Sequence, residues 1–324
     1  MTTAPAASPP IIHALDHVVV AVRDLDAAVA AYRALLGRAP AWRAEAHGGG
    51  ATVVTFALAN VAVELMAPSG MGPTAERLTA VLDAQGEGLA SLAFATGDIE
   101  RAHRRLARLG LGPEPIADGA STDAETGATR PWRRTRAATA ASHGVRLFFL
   151  QQAALPPSRL LAPEPAAVSG LDHVVIRTPD PERATALYGA RLDLDMRLDR
   201  ANPAWGARLL FFRCGDLIVE VAHDLKAGVG DGPDRLWGLS WRVPDAEAAR
   251  ARLAAAGLDV SEVRPGRKPG TRVLTLRDGT CGVPTLLLER GGGADEISSS
   301  GSSRPADASS GMPGTSPCSL PKAT

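Results

Sequence analysis

The chain has 324 residues, and Lys plus Arg equals Asp plus Glu at 35 each, so there is no net basic field of the kind that nucleic acid or an anionic membrane surface requires. Three cysteines exclude a disulfide framework, and no stretch approaches the roughly 18 apolar residues of a membrane span. A soluble cytoplasmic protein, with room for two domains that each bury a core, is expected.

Residues 1–11 are Ala, Pro and Ser and are expected to be disordered. The first strand reads LDHVVVAV at 15–22, where strict alternation puts Leu15, His17, Val19 and Ala21 on one face and Val18, Val20 and Val22 on the other. Asp24 then caps a helix whose Val29, Tyr32, Leu35 and Leu36 share a face, and Gly37 ends it. The strands ATVVTFAL and VAVELMA complete a βαβββ unit. A second, weaker unit follows in GLASLAFATGDIERAHRRLARLG, with Asp98 as cap and Gly110 as stop, and ends in GVRLFFLQ at 144–151. His47 with its glycines, and residues 117–144 with Trp132, Arg133, Arg134 and Arg136, read as flexible loops.

Residues 153–169 carry four prolines and read as a linker between a domain at 12–152 and another at 170–290. Shifting the chain by 156 residues superimposes Leu15, Asp16 and His17 on Leu171, Asp172 and His173, Asp24 on Asp180, Tyr32 on Tyr188, Phe56 on Phe212, and Glu64 on Glu220. Pro181 stands at the first helical position of the repeat. LWGLSWRVPDAEAARARLAAAGL, with Asp245 and Gly257, opens a fourth unit that ends in GVPTLLLER at 282–290. Between them lies a dense basic run, RPGRKPGTR at 264–272, while 291–324 is a Gly, Ser and Pro tail expected to be disordered. The fold class is therefore α+β, four βαβββ units paired into two domains. Cys214 and Cys281 read as packed thiols.

Glu64 and Glu220 sit in otherwise apolar strands, and an unpartnered carboxylate there costs several kcal/mol, so each implies a cation, a donor or a wet cavity. Paired βαβββ units with His on the first strand and Glu on the fourth resemble the vicinal oxygen chelate superfamily, and VAVELMAPSG with GEGLASLAFATGDIERAHRRL resembles its glyoxalase-like branch. The resemblance implies a U-shaped, mostly antiparallel sheet around a cavity in each domain. It also implies a divalent metal (Mn, Fe, Co, Ni, Zn or Mg) held from the first and last strands of each unit. Carried over by position, the ligands are His17, Glu64 and Gln151 in the first domain and His173, Glu220 and Glu289 in the second. Ser91 and Gly238 stand where the family usually has a second His, which argues against an extradiol dioxygenase. The implied activity is that of a lyase or isomerase on a small carbonyl or thioester, with Glu289 or Glu220 moving a proton while the metal stabilises an enediolate. The different-class alternative is a non-catalytic binder that sequesters a small molecule. On GLSWRV, Gly238, Ser240 and Arg242 share a side; with Arg272 they are expected to bind substrate, and Arg242 is either an anion clamp or a salt-bridge partner of Glu220 or Glu289. Monomer and homodimer both remain open.

Overall fold

In a computed structural model, which describes residues 10–155 and 164–291, the chain forms two eight-stranded mixed sheets with helices packed on them. The segments expected to be disordered fall outside the described residues at 1–9 and 292–324, as do positions 156–163 of the expected linker. Ile11 departs from that expectation: it is 4% exposed and joins the core, because the Ile11–Ile12 pair is apolar and leads directly into the first strand.

The first domain contains β1 (Ala14–Ala21), α1 (Leu25–Leu36), β2 (Trp42–Glu45), β3 (Ala51–Ala57), β4 (Ala62–Pro68), α2 (Pro73–Gln85), β5 (Gly88–Ala95), α3 (Ile99–Arg108), β6 (Ala117–Thr122), β7 (Thr129–Arg136) and β8 (Leu147–Gln152). The second contains β9 (Gly170–Arg177), α4 (Pro181–Thr185, running on as a π-helical turn Ala186–Arg191), β10 (Asp195–Asn202), β11 (Ala207–Cys214), β12 (Leu217–Asp224), β13 (Arg235–Arg242), α5 (Ala246–Ala255), β14 (Arg264–Pro265), β15 (Thr271–Leu276) and β16 (Thr285–Arg290). The strand orders are β2-β3-β4-β1-β5-β8-β7-β6 and β10-β11-β12-β9-β13-β16-β15-β14. In both sheets the first strand of each unit runs parallel to its last, and the two units of a domain meet along an antiparallel pair, β1–β5 or β9–β13.

Local sequence explains the frame. Asp24, Asp98, Asp180 and Asp245 each accept N–H bonds from the first turn of the following helix, and Gly37 closes α1 in the left-handed region at φ 65°. The repeated aromatics pack alike, with ring centroids 6.4 Å apart for Tyr32–Phe56 and 5.8 Å for Tyr188–Phe212. Burial pushes the Cys214 thiol up to about 12 and that of Cys281 up to about 11, as packed thiols require. Among the described residues no helix is long and apolar enough to cross a membrane.

Two elements exceed the expectation, and both belong to the first domain. Residues 117–144 are largely ordered as the β6–β7 hairpin, whose far edge meets β2: Trp42 Nε1–H donates to Ser121 Oγ at 2.8 Å and the Arg43 N–H to Asp123 Oδ1 at 3.0 Å. That contact draws the two edges of the sheet together. The segment joining the two units forms α2, with Pro73 at its start and Ala75, Leu78 and Leu82 buried against Ala21 and Ala51. At the matching place the second domain has only a connection between β12 and β13.

Candidate functional site

The LDH triplet is a bent strand. Pairing of β1 with β5 shifts register between Leu15 and His17, and pairing of β9 with β13 shifts between Leu171 and His173, so Asp16 and Asp172 are bulged residues. The bulge turns Leu15 and Leu171 into the core instead of onto the His face, and it brings each Asp beside its His. His17 Nδ1–H donates to Asp16 Oδ1 at 2.7 Å, and its Nε2 lies 3.4 Å from Glu64 Oε2. In the second domain His173 Nδ1–H donates to Asp172 Oδ2 at 2.9 Å, and Nε2 lies 3.4 Å from Glu220 Oε2. Burial opposes the charged form of His17, but Glu64 and Asp16 together raise its pKa above the ordinary value. His173 behaves the same way under Asp172 and Glu220.

The first of these triads faces a cavity of about 180 Å³, lined by His17, Glu64 and Ser91 among others. Its walls come from alternate residues of β7 (Arg130, Trp132, Arg134) and β8 (Phe148, Leu150, Gln152) with Arg146 just before β8, and its floor from Arg77, Leu78 and Val81 of α2. His47 stands at the rim, edge-on to Trp132 at 4.9 Å. Burial, then Arg134 and Arg77, lower its pKa.

Gln151 and Glu289 are not brought to these histidines. The Ile99 N–H donates to Gln151 Oε1 at 3.1 Å and the Ala246 N–H to Glu289 Oε2 at 2.7 Å, so both side chains hold the first turn of a helix on the opposite face of the sheet. The residues one further along, Gln152 and Arg290, take the inner side, since a one-residue step in a strand reverses the face. Leu147 and Phe149 are fully buried in the core, and counting by twos from them would have signalled this. Arg272 joins Glu289 at 3.3 Å and Glu247 at 2.6 Å around the same helix start, where it does not line the inner face.

Arg242 is a salt-bridge residue with partners other than those expected: Nε reaches Asp172 Oδ1 at 3.3 Å and Nη1 reaches Asp216 Oδ2 at 2.5 Å. Arg290 completes the cluster, with Nε 2.9 Å and Nη2 2.5 Å from the same Asp172 oxygen. Burial works against ionisation of Asp172, yet the bond to His173 and the charges of His173 and Arg290 hold its carboxyl well below the usual range. Ser240 is 1% exposed with its Oγ unpartnered among the described residues, so it is closed off from a ligand. Gly238 makes no vacant ligand position: a Cβ there would lie 2.7 Å from the carbonyl oxygen of Pro284, whose oxygen accepts the Leu239 N–H at 3.0 Å.

The implied divalent metal can be tested on these side chains. With Nδ1 committed to Asp16, the free lone pair of His17 Nε2 and the Glu64 carboxylate are two acceptors facing each other at 3.4 Å, an arrangement that needs a proton or a cation between them. Ser91 and Gln152 add neutral oxygens to the same cavity. The first domain therefore fits an ion with two strong protein donors, although no cluster of three or more metal-binding side chains exists among the described residues. In the second domain Arg290 stands at the position of Gln152, so a guanidinium replaces a neutral oxygen there, and with Arg242 it holds Asp172, the acid that orients His173.

Two family models match the chain: a glyoxalase-like domain over residues 15–192, and the glyoxalase/bleomycin resistance protein/dioxygenase superfamily over residues 172–275. No curated protein matches it. Among solved structures, a triple mutant of 4-hydroxymandelate synthase from Streptomyces coelicolor is similar at 14% identity and a TM-score of 0.63, covering 86% of this chain and 93% of its own. A Mn(II)-bound glyoxalase from Novosphingobium aromaticivorans is similar at 14% identity and a TM-score of 0.57, over 87% of this chain and 83% of its own. BphC, a halotolerant catechol dioxygenase, follows at 12% identity and 0.56, over 89% and 90%. At these identities the structures speak for the fold alone. The first family model spans more than half of the chain, and its βαβββ architecture is the one built above: the protein belongs to the glyoxalase-like family of the vicinal oxygen chelate superfamily.

Proposed function

We propose that the protein is a divalent-metal-dependent lyase or isomerase of the glyoxalase type, acting on a small carbonyl compound in the cavity of its first domain. The observation that carries this reading is the His17 Nε2–Glu64 Oε2 pair at 3.4 Å, aimed by Asp16 and opening into that cavity. A bound divalent ion would polarise a substrate carbonyl and lower the acidity barrier of the adjacent carbon. Asp16 fixes the His17 tautomer, the β6–β7 hairpin and α2 restrict water, and Glu64 is the carboxylate placed to hold a proton. The second domain, with Asp172 held by Arg242 and Arg290, serves as a packed partner.

Elemental analysis of purified protein, reconstituted with Mn, Fe, Co, Ni, Zn or Mg, tests the assignment. About one ion per chain is expected, lost in His17→Ala and kept in His173→Ala. Loss in His173→Ala with retention in His17→Ala, or wild-type protein that takes up none of these ions, sinks it. In the latter case the binder reading takes over, which the shortage of strong donors and the several guanidinium groups in the cavity already favour.

A further inference from the structure

The arginines of the first cavity differ from the two other arginines of β7, Arg133 and Arg136. On β7, Arg133 points away from the cavity and is held by Glu100 and Asp118, each at 2.5 Å, and Arg136, the last residue of the strand, is held by Glu114. Arg134 and Arg146 have no carboxylate within salt-bridge distance among the described residues. Arg134 rests on the faces of Trp132 at 4.9 Å and Phe148 at 5.3 Å, and Arg146 on Phe148 at 5.9 Å. Among the described residues Arg130 donates to the Ala153 carbonyl, with Asp16 and Glu64 near enough to favour its charge but not in salt-bridge contact, and Arg77 donates to Thr74 Oγ1. Four guanidinium groups thus converge on a space whose lining carboxylates are Glu45 and Glu64, and Glu64 is already committed to His17. Burial is the largest influence and weakens the charged forms of Arg134 and Arg146; Glu64 and Glu114 offset part of this at Arg134, and at Arg146 the neighbouring Arg136 and Arg77 add to it while Glu114 opposes them. Because a guanidinium does not release its proton, that cost stays in the folded protein until an anion arrives.

We propose that this cavity selects a single-ring or similarly flat small molecule bearing one carboxylate or phosphate group, and that Arg134 and Arg146 hold that anion. The volume fits: about 180 Å³ is a little more than the roughly 150 Å³ that accommodates benzene. Trp42, Trp132 and Phe148 give the lining flat apolar surface that suits a ring, and the guanidinium groups beside them supply the fork-shaped donors that an acid on that ring would take. This inference rests on the cavity's being the substrate site, and it is independent of whether a metal is bound.

Calorimetric titration of the full chain with benzoate, phenyl phosphate and the neutral benzamide tests it, using wild type, Arg134→Gln, Arg146→Gln and the double variant. At least one of the two anions is expected to bind about tenfold or more tightly than benzamide, and the tighter one names the acid. Each single variant should weaken that anion by about tenfold or more, with benzamide unaffected. Metal content is measured on the same samples, so loss of anion binding with metal retained separates this site from the His17–Glu64 pair. Removing a repelling charge should leave the melting temperature of each variant at or above that of wild type, which guards against unfolding as the cause. Benzamide binding as tightly as both anions, anion affinity unchanged in the double variant, or no binding of any probe overturns the proposal.

Discussion

His173 sits between Asp172 and Glu220 just as His17 sits between Asp16 and Glu64, yet Arg242 and Arg290 have turned its surroundings into a salt-bridge cluster. The His–Glu pairs were legible in the sequence, because an imidazole and a carboxylate in apolar strands must meet a partner; the Asp beside each His was not, since only the bulge brings it there. Their neighbours were less so: nothing in the residue types at 289 and 290, both polar, says which of the two faces inward, and the phase is set only by the packing of Leu287. The charge state of His173 gives a prediction. Burial lowers its pKa, but the Asp172 hydrogen bond and the charges of Glu220 and Asp172 outweigh that and raise it. A raised folded-state pKa means that the stabilisation is complete below the unfolded value of about 6.5 and fades as pH climbs through the folded one. His173→Gln should therefore lower the melting temperature more at about pH 6 than at about pH 9. A deficit that is equal at both pH values, or larger at the alkaline one, would show that His173 is neutral in the folded protein.

Among the elements, the strands and helices of the doubled frame were readable from Asp caps, glycine stops and the period of two. What the alternation hid were the bulges at Asp16 and Asp172, which break the period at the very triplet that marks the repeat. The β6–β7 hairpin was hidden by its composition, since Arg130, Trp132 and Arg134 alternate as strand residues do but their faces are charged and aromatic, without the aliphatic side chains of a core strand. The remaining unforeseen element, α2, packs through a small cluster of its own in which Leu78 and Leu82 cover Ala21 and Ala51, separate from the main core. A helix held by so few side chains should open independently. Leu82 is 2% exposed, and truncating such a leucine costs about 2–5 kcal/mol at the site. In Leu82→Ala, hydrogen exchange over residues 73–85 should accelerate while β1, β4 and β5 keep wild-type protection. Uniform acceleration through the sheet would mean that α2 belongs to the global folding unit.

On the scale of the whole molecule, the two domains behave as one body because their cores are continuous. The main apolar cluster runs from Ile11 to Leu287 through both sheets. Polar groups bind the junction: Asn60 accepts the Leu171 N–H at 2.9 Å and donates to the Leu171 carbonyl at 2.8 Å, as a short strand would. Arg38 donates to the Val168 carbonyl at 2.5 Å, and Arg252 of α5 caps the C-terminal carbonyls of α1 at Ala34 and Leu35. The Asp234 N–H donates to the His143 carbonyl at 2.7 Å, and Tyr32 Oη–H reaches the Thr280 carbonyl at 3.4 Å. None of these contacts depends on the covalent connection between the halves. A protease site introduced between residues 155 and 164 and then cleaved should therefore leave both fragments eluting together at the size of the intact chain, with a single calorimetric transition. Separation of the fragments on gel filtration, or two resolved transitions in the uncut protein, would mean that the junction is a contact between independently stable domains. In that case the salt-bridged second domain would not be needed to keep the first cavity folded.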